Sequence, residues 1–343
     1  MSRNILKQLV TLLLIVLALP IATERLSAKE VSPEQALKRA QEFLQGASTT
    51  RNGALNLKMA MDSRDIVTTT RANEYPTFYL FTNQGGGGFV IVSADDSVSP
   101  IIGYSTTEVI DINGNMPDNL RAWCEFADGA IAYSRKQALG THHEWNTPRP
   151  LSDEGKHLKT ALWSQDAPYN LYCPMDGENR SLTGCTSTAT GIIMHYHKWP
   201  ESAWGTTSEY VTNTQQITVP PRDINHTYDW DNMRFSYKED YNDVEADAVA
   251  TLLSDIGYCF QADYGSAGTG ALPNIEWLID HFSYGAGTQY CYRYTITKDG
   301  WNALIRNEID NNRPVLYSGF EKDGSYGHAF VVDGYDSHNF FHL

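Results

Sequence analysis

The feature that most constrains the fold is a polar stretch, GTHHEWNTPRPLSDEGK, at residues 140–156. It contains two prolines and shows no apolar periodicity, which is typical of a linker rather than of a helix or strand. A chain of 343 residues is long enough for two domains that each bury a core. The sequence therefore predicts two domains, at residues 29–145 and 146–343, after a leader at residues 1–28.

The leader has the pattern of a secretory signal peptide. Arg3 and Lys7 precede an apolar stretch from Leu9 to Ala22, which is shorter than the roughly 20 residues of a membrane-spanning helix. Cleavage is expected after Ala28, with Ala22 as the second choice, and an uncleaved anchor is the alternative. We therefore expect a secreted protein with no stable membrane association after the signal is removed.

Charge and cysteine content narrow the possible functions. The net charge of −15, from 26 basic and 41 acidic residues, disfavours binding to nucleic acid.

The five cysteines are an odd number, so at least one thiol has no partner within the chain. His195 and His197 point to different faces of a helix, and no Cys, His or Asp set has the usual zinc spacing. We expect neither a metal nor a cofactor.

The first domain has clear local signals. Residues 32–46 predict a helix in which Ser32 caps, Pro33 begins the first turn and Gln35 completes a capping box. Residues 77–82 and 88–96 predict the two strands of a hairpin, and residues 120–139 predict a helix containing Cys124.

The second domain has helices first and strands last. Apolar residues recur at helical spacing after Cys185 until Pro200 ends the run, and further helices are predicted near residues 245–256, 274–281 and 301–311. The strand signals are RPVLYSGF, HAFVVDGYD and NFFHL at the C-terminal end. This order is typical of the α+β class.

Cys185 and His328 are the candidates for chemistry. Cys185 lies at a helix start after Gly184, where the backbone amides and the helix dipole favour a thiolate. His328, 143 positions later, lies on an apolar strand and is a candidate proton carrier for that thiolate. From the residues alone, an inert core thiol and a buried structural histidine remain open alternatives.

Several motifs resemble one known family. GCTSTATGIIMHYHKWP, LKTALWSQDAPYN, RPVLYSGF and GHAFVVDGYDSHNFFHL are similar to segments of the streptopain family of secreted bacterial cysteine peptidases, and of its interpain-like members in particular. Upstream, GGFVIVSADDSVSPIIGYS and MPDNLRAW resemble the propeptide of that family. The resemblance implies an α+β propeptide domain followed by a papain-like catalytic domain, in which a helical side faces an antiparallel sheet side.

The resemblance also implies residue roles. Cys185 matches the nucleophile, His328 the general base and acid, and Gln165 the oxyanion-hole glutamine. Ser318 and Gly319 are candidates for the substrate groove, although the bare sequence is better explained by the end of a strand. The segment Gly265–Ala271 is either a mobile rim of the cleft or a plain loop.

The implied function is that of a latent cysteine endopeptidase. It would act on proteins or peptides with a hydrophobic residue at P2, the second residue before the cut, and its propeptide would bind in cis until cleavage near Arg149 or Lys136. The Asn-Trp-Gly-Trp segment of the family would begin just after Leu343, so we expect the chain to be a fragment and assign no third catalytic residue. Asp333 and Asp336 are nearby acids without an assigned role.

Two other functions fit the residues. A secreted binding or adhesion module would use the many aromatic residues at its surface. A Cys-His acyltransferase would keep the same chemistry with a different acceptor.

Overall fold

The computed structural model of the chain describes residues 29–45, 55–67, 75–84, 87–107, 110, 116, 118–137, 140–151, 155–320, 327–336 and 340–343. The predicted signal peptide lies outside these residues. The chain forms two compact units, one mainly of residues up to Arg149 and one mainly of Pro150–Leu343. Among the helices of the described residues, none is both long enough and apolar enough to span a bilayer.

The first unit is built on a four-stranded antiparallel sheet with the strand order β1-β2-β3-β4. Strands β2 and β3 pair as the predicted hairpin and are almost entirely buried. The elements assigned mainly to this unit are α1 (Pro33–Leu44), β1 (Leu57–Asp62), α2 (Ser63–Ile66), β2 (Phe78–Asn83), β3 (Phe89–Ser93), β4 (Ile101–Ser105) and α3 (Asp118–Lys136).

Helix α1 begins as the sequence predicts. The Gln35 backbone amide donates to Ser32 Oγ at 3.3 Å, and the Ser32 amide donates to Gln35 Oε1 at 3.0 Å, which is a complete capping box. Its apolar face is buried, and the Phe43 ring lies 4.9 Å from the Tyr104 ring of β4. This contact joins the helix to the sheet.

The described part of the predicted linker, residues 140–151 and 155–156, is more ordered than its composition indicates. A 3₁₀ turn forms at His143–Trp145, and the Trp145 indole is buried and donates to the Val98 carbonyl at 2.8 Å. Strand β5 begins within the same stretch, at Gly155. Burial of one aromatic ring fixes a segment that has no periodic pattern of its own.

The second unit has the predicted α+β composition. The helices lie where their patterns indicate, and the strand signal HAFVVDGYD forms two strands that are separated at Asp333. Its elements are β5 (Gly155–His157), β6 (Met175–Asp176), β7 (Asn179–Arg180), α4 (Cys185–His197), β8 (Tyr210–Val211), β9 (Thr218–Val219), α5 (Asp243–Cys259), α6 (Ile275–Asp280), α7 (Lys298–Asp310), β10 (Val315–Phe320), β11 (Gly327–Val332), β12 (Gly334–Asp336) and β13 (Phe341–His342).

Helices α4 and α5 form the helical side of this unit. Leu252, Leu253 and Ile256 of α5 are fully buried in its largest core cluster. Gly191 allows the two helices to approach closely, because a Cβ atom at that position would lie 2.4 Å from Leu253 Cδ2. The start of α4 is therefore held against a rigid partner.

The sheet side consists of β10 paired antiparallel with β11, and of a three-stranded sheet in the order β13-β12-β5. Ile305 and Ile309 of α7 pack with Val332 of β11 in a separate buried cluster. Helix α4 contacts both β10 and β11. The helical side thus meets the sheet side at the strand that carries His328.

Candidate active site

Helix α4 begins at Cys185 because Gly184 has a backbone that other residues rarely adopt. Gly184 is the N-cap residue and has φ 84°. A Cβ atom there would lie 2.8 Å from the carbonyl oxygen of Thr269 and 3.0 Å from its Cγ2. Only glycine fits both the conformation and the space.

The sulfur of Cys185 lies at the edge of strand β11. The backbone amide of Ala329 donates a hydrogen bond to Cys185 Sγ at 3.4 Å. His328 precedes Ala329 in the strand, so its backbone lies beside the sulfur. The structure therefore brings together the two residues that the sequence singled out, although they are 143 positions apart.

The His328 side chain stands at the end of a row of aromatic rings. Its ring lies 6.2 Å from that of Phe330, which stacks on Tyr317 at 5.3 Å. Tyr317 in turn meets the Trp301 ring of α7 edge to face at 5.8 Å. This row fixes the face of the strand from which the imidazole projects.

Gln165 is held close to the start of α4 by its own backbone. Its carbonyl oxygen accepts from the Thr183 amide at 3.1 Å and from Thr183 Oγ1 at 3.4 Å. The Thr183 hydroxyl also contacts Thr188 Oγ1 of α4 at 2.7 Å. Gln165 is half-buried, and its segment is fixed two residues before Cys185.

The segment Gly265–Ala271 borders the same place. Thr269 Oγ1 donates to the Leu182 carbonyl at 2.8 Å, and Thr186 Oγ1 donates to the Ala271 carbonyl at 2.8 Å. These bonds flank Cys185 on both sides in the sequence. The segment therefore lies next to the cysteine and is held there by hydrogen bonds, whereas the sequence interpretation of a rim expects it to be mobile.

Ser318 and Gly319 lie directly opposite the His328 region. In the antiparallel register Ser318 pairs with Ala329 and Gly319 pairs with His328. Ser318 is exposed and Gly319 is half-buried. Both residues therefore lie beside His328 and Ala329 in the two-stranded sheet.

The two acids that follow β11 have other partners. Asp333 is buried and accepts from Thr160 Oγ1 and from His342 Nδ1, each at 2.5 Å. Burial acts to raise the pKa of Asp333, but the imidazoles of His157 and His342 and the Thr160 hydroxyl together outweigh it and lower the pKa to about 2. Asp336 accepts from the Phe340 amide at 2.9 Å. These contacts of Asp333 and Asp336 lie within the three-stranded sheet β13-β12-β5.

The other cysteines of the second unit have different environments. Cys173 and Cys259 are almost fully buried, and burial raises the pKa of the Cys173 thiol to about 12 and that of Cys259 further. Cys291 is exposed, whereas Cys185 is half-buried. Cys185 is the one placed at a helix start beside a histidine-bearing strand.

Sequence reasoning missed two groups at this site. Thr269 closes the space around Gly184, and the Ala329 amide contacts the sulfur. A threonine in a glycine-rich loop has no distinguishing signal. The sequence gives no signal for the Ala329 amide other than the position of Ala329 directly after His328.

Comparison with known sequences covers both units. The profile of the Peptidase C10 family matches residues 163–343, and that of the Spi protease inhibitor matches residues 28–131. The chain is 31% identical to the thiol protease/hemagglutinin PrtT of Porphyromonas gingivalis, over 97% of this chain but only 39% of the relative. It is 29% identical to streptopain of Streptococcus pyogenes, over 96% of this chain and 84% of the relative.

Two solved structures have a similar fold. A fragment of prointerpain A from Prevotella intermedia aligns with a TM-score of 0.62 at 26% identity, covering 82% of this chain and 85% of the fragment. Active interpain A from the same organism aligns with a TM-score of 0.50 at 31% identity, covering 55% of this chain and 80% of that one. The papain-like fold with a propeptide domain, expected from the sequence motifs, is confirmed.

The environment of Gly184 gives a stability prediction. Gly184→Ala forces a side chain into a left-handed conformation against the Thr269 carbonyl, so we expect a loss of about 1–3 kcal/mol in the free energy of unfolding. Urea denaturation followed by circular dichroism measures it. Gly268→Ala is the matched control, because a Cβ atom there meets nothing within 4 Å. Equal stabilities of the two variants would contradict the packing described for Gly184.

Proposed function

Because the chain belongs to the peptidase C10 family, we propose that it is a cysteine endopeptidase, made as a latent zymogen, that hydrolyses peptide bonds through an acyl-enzyme on Cys185. The observation that carries this proposal is the meeting of Cys185 Sγ with strand β11 next to His328, through the 3.4 Å hydrogen bond from Ala329. A buried structural thiol would not need a glycine-capped helix start and a histidine beside it.

Activation of the sulfur uses three groups. The start of α4 directs backbone amides and the positive end of the helix dipole toward Cys185. The Ala329 amide donates to Sγ, and a hydrogen bond of this kind is stronger to a thiolate than to a thiol. His328 takes the thiol proton and becomes imidazolium, which completes the ion pair.

Attack on the substrate follows from this geometry. The thiolate forms a bond to the scissile carbonyl carbon, and the carbonyl oxygen becomes an oxyanion. The side-chain amide of Gln165 and the backbone N–H of Cys185 donate to that oxygen. The support for Gln165 is its anchoring to Thr183, two residues before the nucleophile.

His328 completes both halves of the reaction. It protonates the leaving amine as the carbon–nitrogen bond breaks, which leaves an acyl group on the sulfur. It then removes a proton from water, whose oxygen attacks the thioester and releases the carboxylic acid and the thiol. The aromatic rings of Phe330 and Tyr317 support the His328 imidazole during these steps.

The substrates are proteins or peptides bound beside β10. The support for a groove at Ser318 and Gly319 is the register, which pairs them with Ala329 and His328; an extended peptide bound there would pass close to the histidine. A hydrophobic side chain at P2 is the preferred feature, as in other papain-like enzymes. The activity requires no cofactor or metal.

Latency is provided by residues 29–145, which act as a propeptide in cis, and residues 146–343 are the catalytic domain. The match of the Spi protease inhibitor profile to residues 28–131 supports this assignment. Arg149 lies in an exposed irregular segment, whereas Lys136 is the last residue of helix α3. Proteases cut extended exposed segments more readily than helices, so Arg149 is the favoured processing point.

Residues 1–28 direct the protein out of the cell, where it acts without stable membrane association. The basic and apolar pattern of this leader supports secretion. The two alternatives, an adhesion module and an acyltransferase, are distinguished by product analysis: an adhesion module yields no cleavage, and an acyltransferase yields amide products when an amine is added.

Self-processing tests the proposal directly. The purified full chain should shorten with time at the 140–156 segment, and the Cys185→Ala variant should keep its full mass, because no other group supplies the nucleophile. Intact-mass spectrometry follows the reaction, and Cys291→Ala is the matched control that should process normally, since Cys291 is exposed and remote in sequence. Processing by Cys185→Ala at the normal rate would rule out this nucleophile.

The role of Gln165 gives a second prediction. For processed protein, Gln165→Ala should lower kcat by about a hundredfold to a thousandfold on a peptide with leucine at P2, because one oxyanion donor is lost. Gln289→Ala is the control, since Gln289 is an exposed loop amide, and it should stay within about twofold of the parent. Equal rates for the two variants would remove Gln165 from the mechanism.

A further inference from the structure

A cluster of two histidines and an aspartate lies at the edge of the three-stranded sheet, in a part of the second unit that the proposed reaction does not use. His157 ends β5, Asp333 lies between β11 and β12, and His342 ends β13. The nearest donor atoms of the three side chains all lie within 4.8 Å of one another. Among the residues that the structure describes, this is the one such set of three possible ligands.

The sheet register explains why these side chains meet. His157 and His342 both pair with Gly334, from opposite sides of β12. Gly334 has no side chain, so the two imidazole rings close over it with their centroids 3.8 Å apart. A Cβ atom on Gly334 would lie 3.1 Å from His157 Cα and 3.1 Å from His342 Cβ.

The carboxylate is the fixed member of the set. The Asp333 side chain is 4% exposed, and Thr160 Oγ1 donates to its Oδ2 at 2.5 Å. The His157 and His342 side chains are 57% and 53% exposed, so solvent reaches the cluster from their side. A buried, oriented carboxylate with two accessible imidazoles is an arrangement that admits an ion and leaves a position for water.

We propose that His157, Asp333 and His342 form a binding site for a divalent transition-metal ion of the zinc class. Two imidazole nitrogens and one carboxylate oxygen are ligands that zinc accepts, whereas magnesium and calcium prefer oxygen ligands alone. Two ligands that are each roughly 2 Å from a tetrahedral zinc ion lie about 3.3 Å apart. The Asp333 oxygens lie 2.5 Å from His342 Nδ1 and 3.7 Å from His157 Nε2, distances on either side of that value.

The ion would join three separate segments of the chain. One ligand comes from β5, one from the residue between β11 and β12, and one from β13. The spacing rules for zinc sites miss this set because positions 157, 333 and 342 are distant in sequence. Binding at the cluster is independent of the proposed peptidase activity, since no member of the cluster takes part in it.

The test measures zinc binding rather than activity. The full chain carrying Cys185→Ala is used, because this removes self-cleavage and prevents zinc from binding the Cys185 thiol. After treatment with a chelator at pH 7.5, titration calorimetry with a zinc salt and metal analysis after gel filtration give the affinity and the stoichiometry. The expected result is one zinc per chain and a melting temperature that rises with added zinc.

Variants separate this site from adventitious binding. His342→Gln should weaken zinc binding at least tenfold and abolish the thermal shift, and Thr160→Val should weaken it about tenfold to a hundredfold by freeing the carboxylate. His142→Gln combined with His143→Gln is the matched control, because these rings also lie close together, 4.5 Å apart, and this variant should bind as the parent does.

His342 is exposed, so its replacement should leave the fold intact, which circular dichroism checks. Absence of zinc binding by the parent, or equal affinity of the parent and His342→Gln, would overturn the proposal and leave the cluster as a hydrogen-bonded ion pair.

Discussion

The hydrogen bond from the Ala329 amide to Cys185 Sγ is the contact on which the proposed chemistry depends. It joins the first residue of α4 to the strand that carries His328. The helix is fixed by its close packing on α5 through Gly191, and the strand is fixed by β10 and by the aromatic rings against α7. The position of one sulfur therefore depends on two separate cores, and a change in either core alters the relation between thiol and imidazole.

Local signals were sufficient to predict many elements. Ser32 and Gln35 form the predicted capping box, and the run between Cys185 and Pro200 forms the predicted helix. In both cases the information lies within one or two turns of the chain. The pairing of Cys185 with His328 is different, because no local pattern brings together residues so distant in sequence. The helix start and the apolar strand made the two residues candidates and left inert alternatives open, and the resemblance to a known family implied their pairing. The fold of that family is confirmed by the solved structures.

Features that arise only from tertiary packing were not predictable. Thr269 lies close to Gly184, and Trp145 is buried although the residues around it are polar. The rings of His157 and His342 are in contact beside Gly334. Each involves a residue whose neighbours in sequence give no indication of its neighbours in space. The catalytic roles of Cys185, His328 and Gln165 stay predictions, as do the substrate-groove roles of Ser318 and Gly319.

The most direct test of the account is the rate of cysteine alkylation in the native chain. Iodoacetamide is added at pH 6, and peptide mapping follows Cys185 against exposed Cys291 and buried Cys173. A thiolate held by α4, Ala329 and His328 should react at least about tenfold faster than the ordinary exposed thiol, while Cys173 stays unmodified until unfolding. Labelling of Cys291 before Cys185, with Cys185 as slow as Cys173, would contradict the central claim.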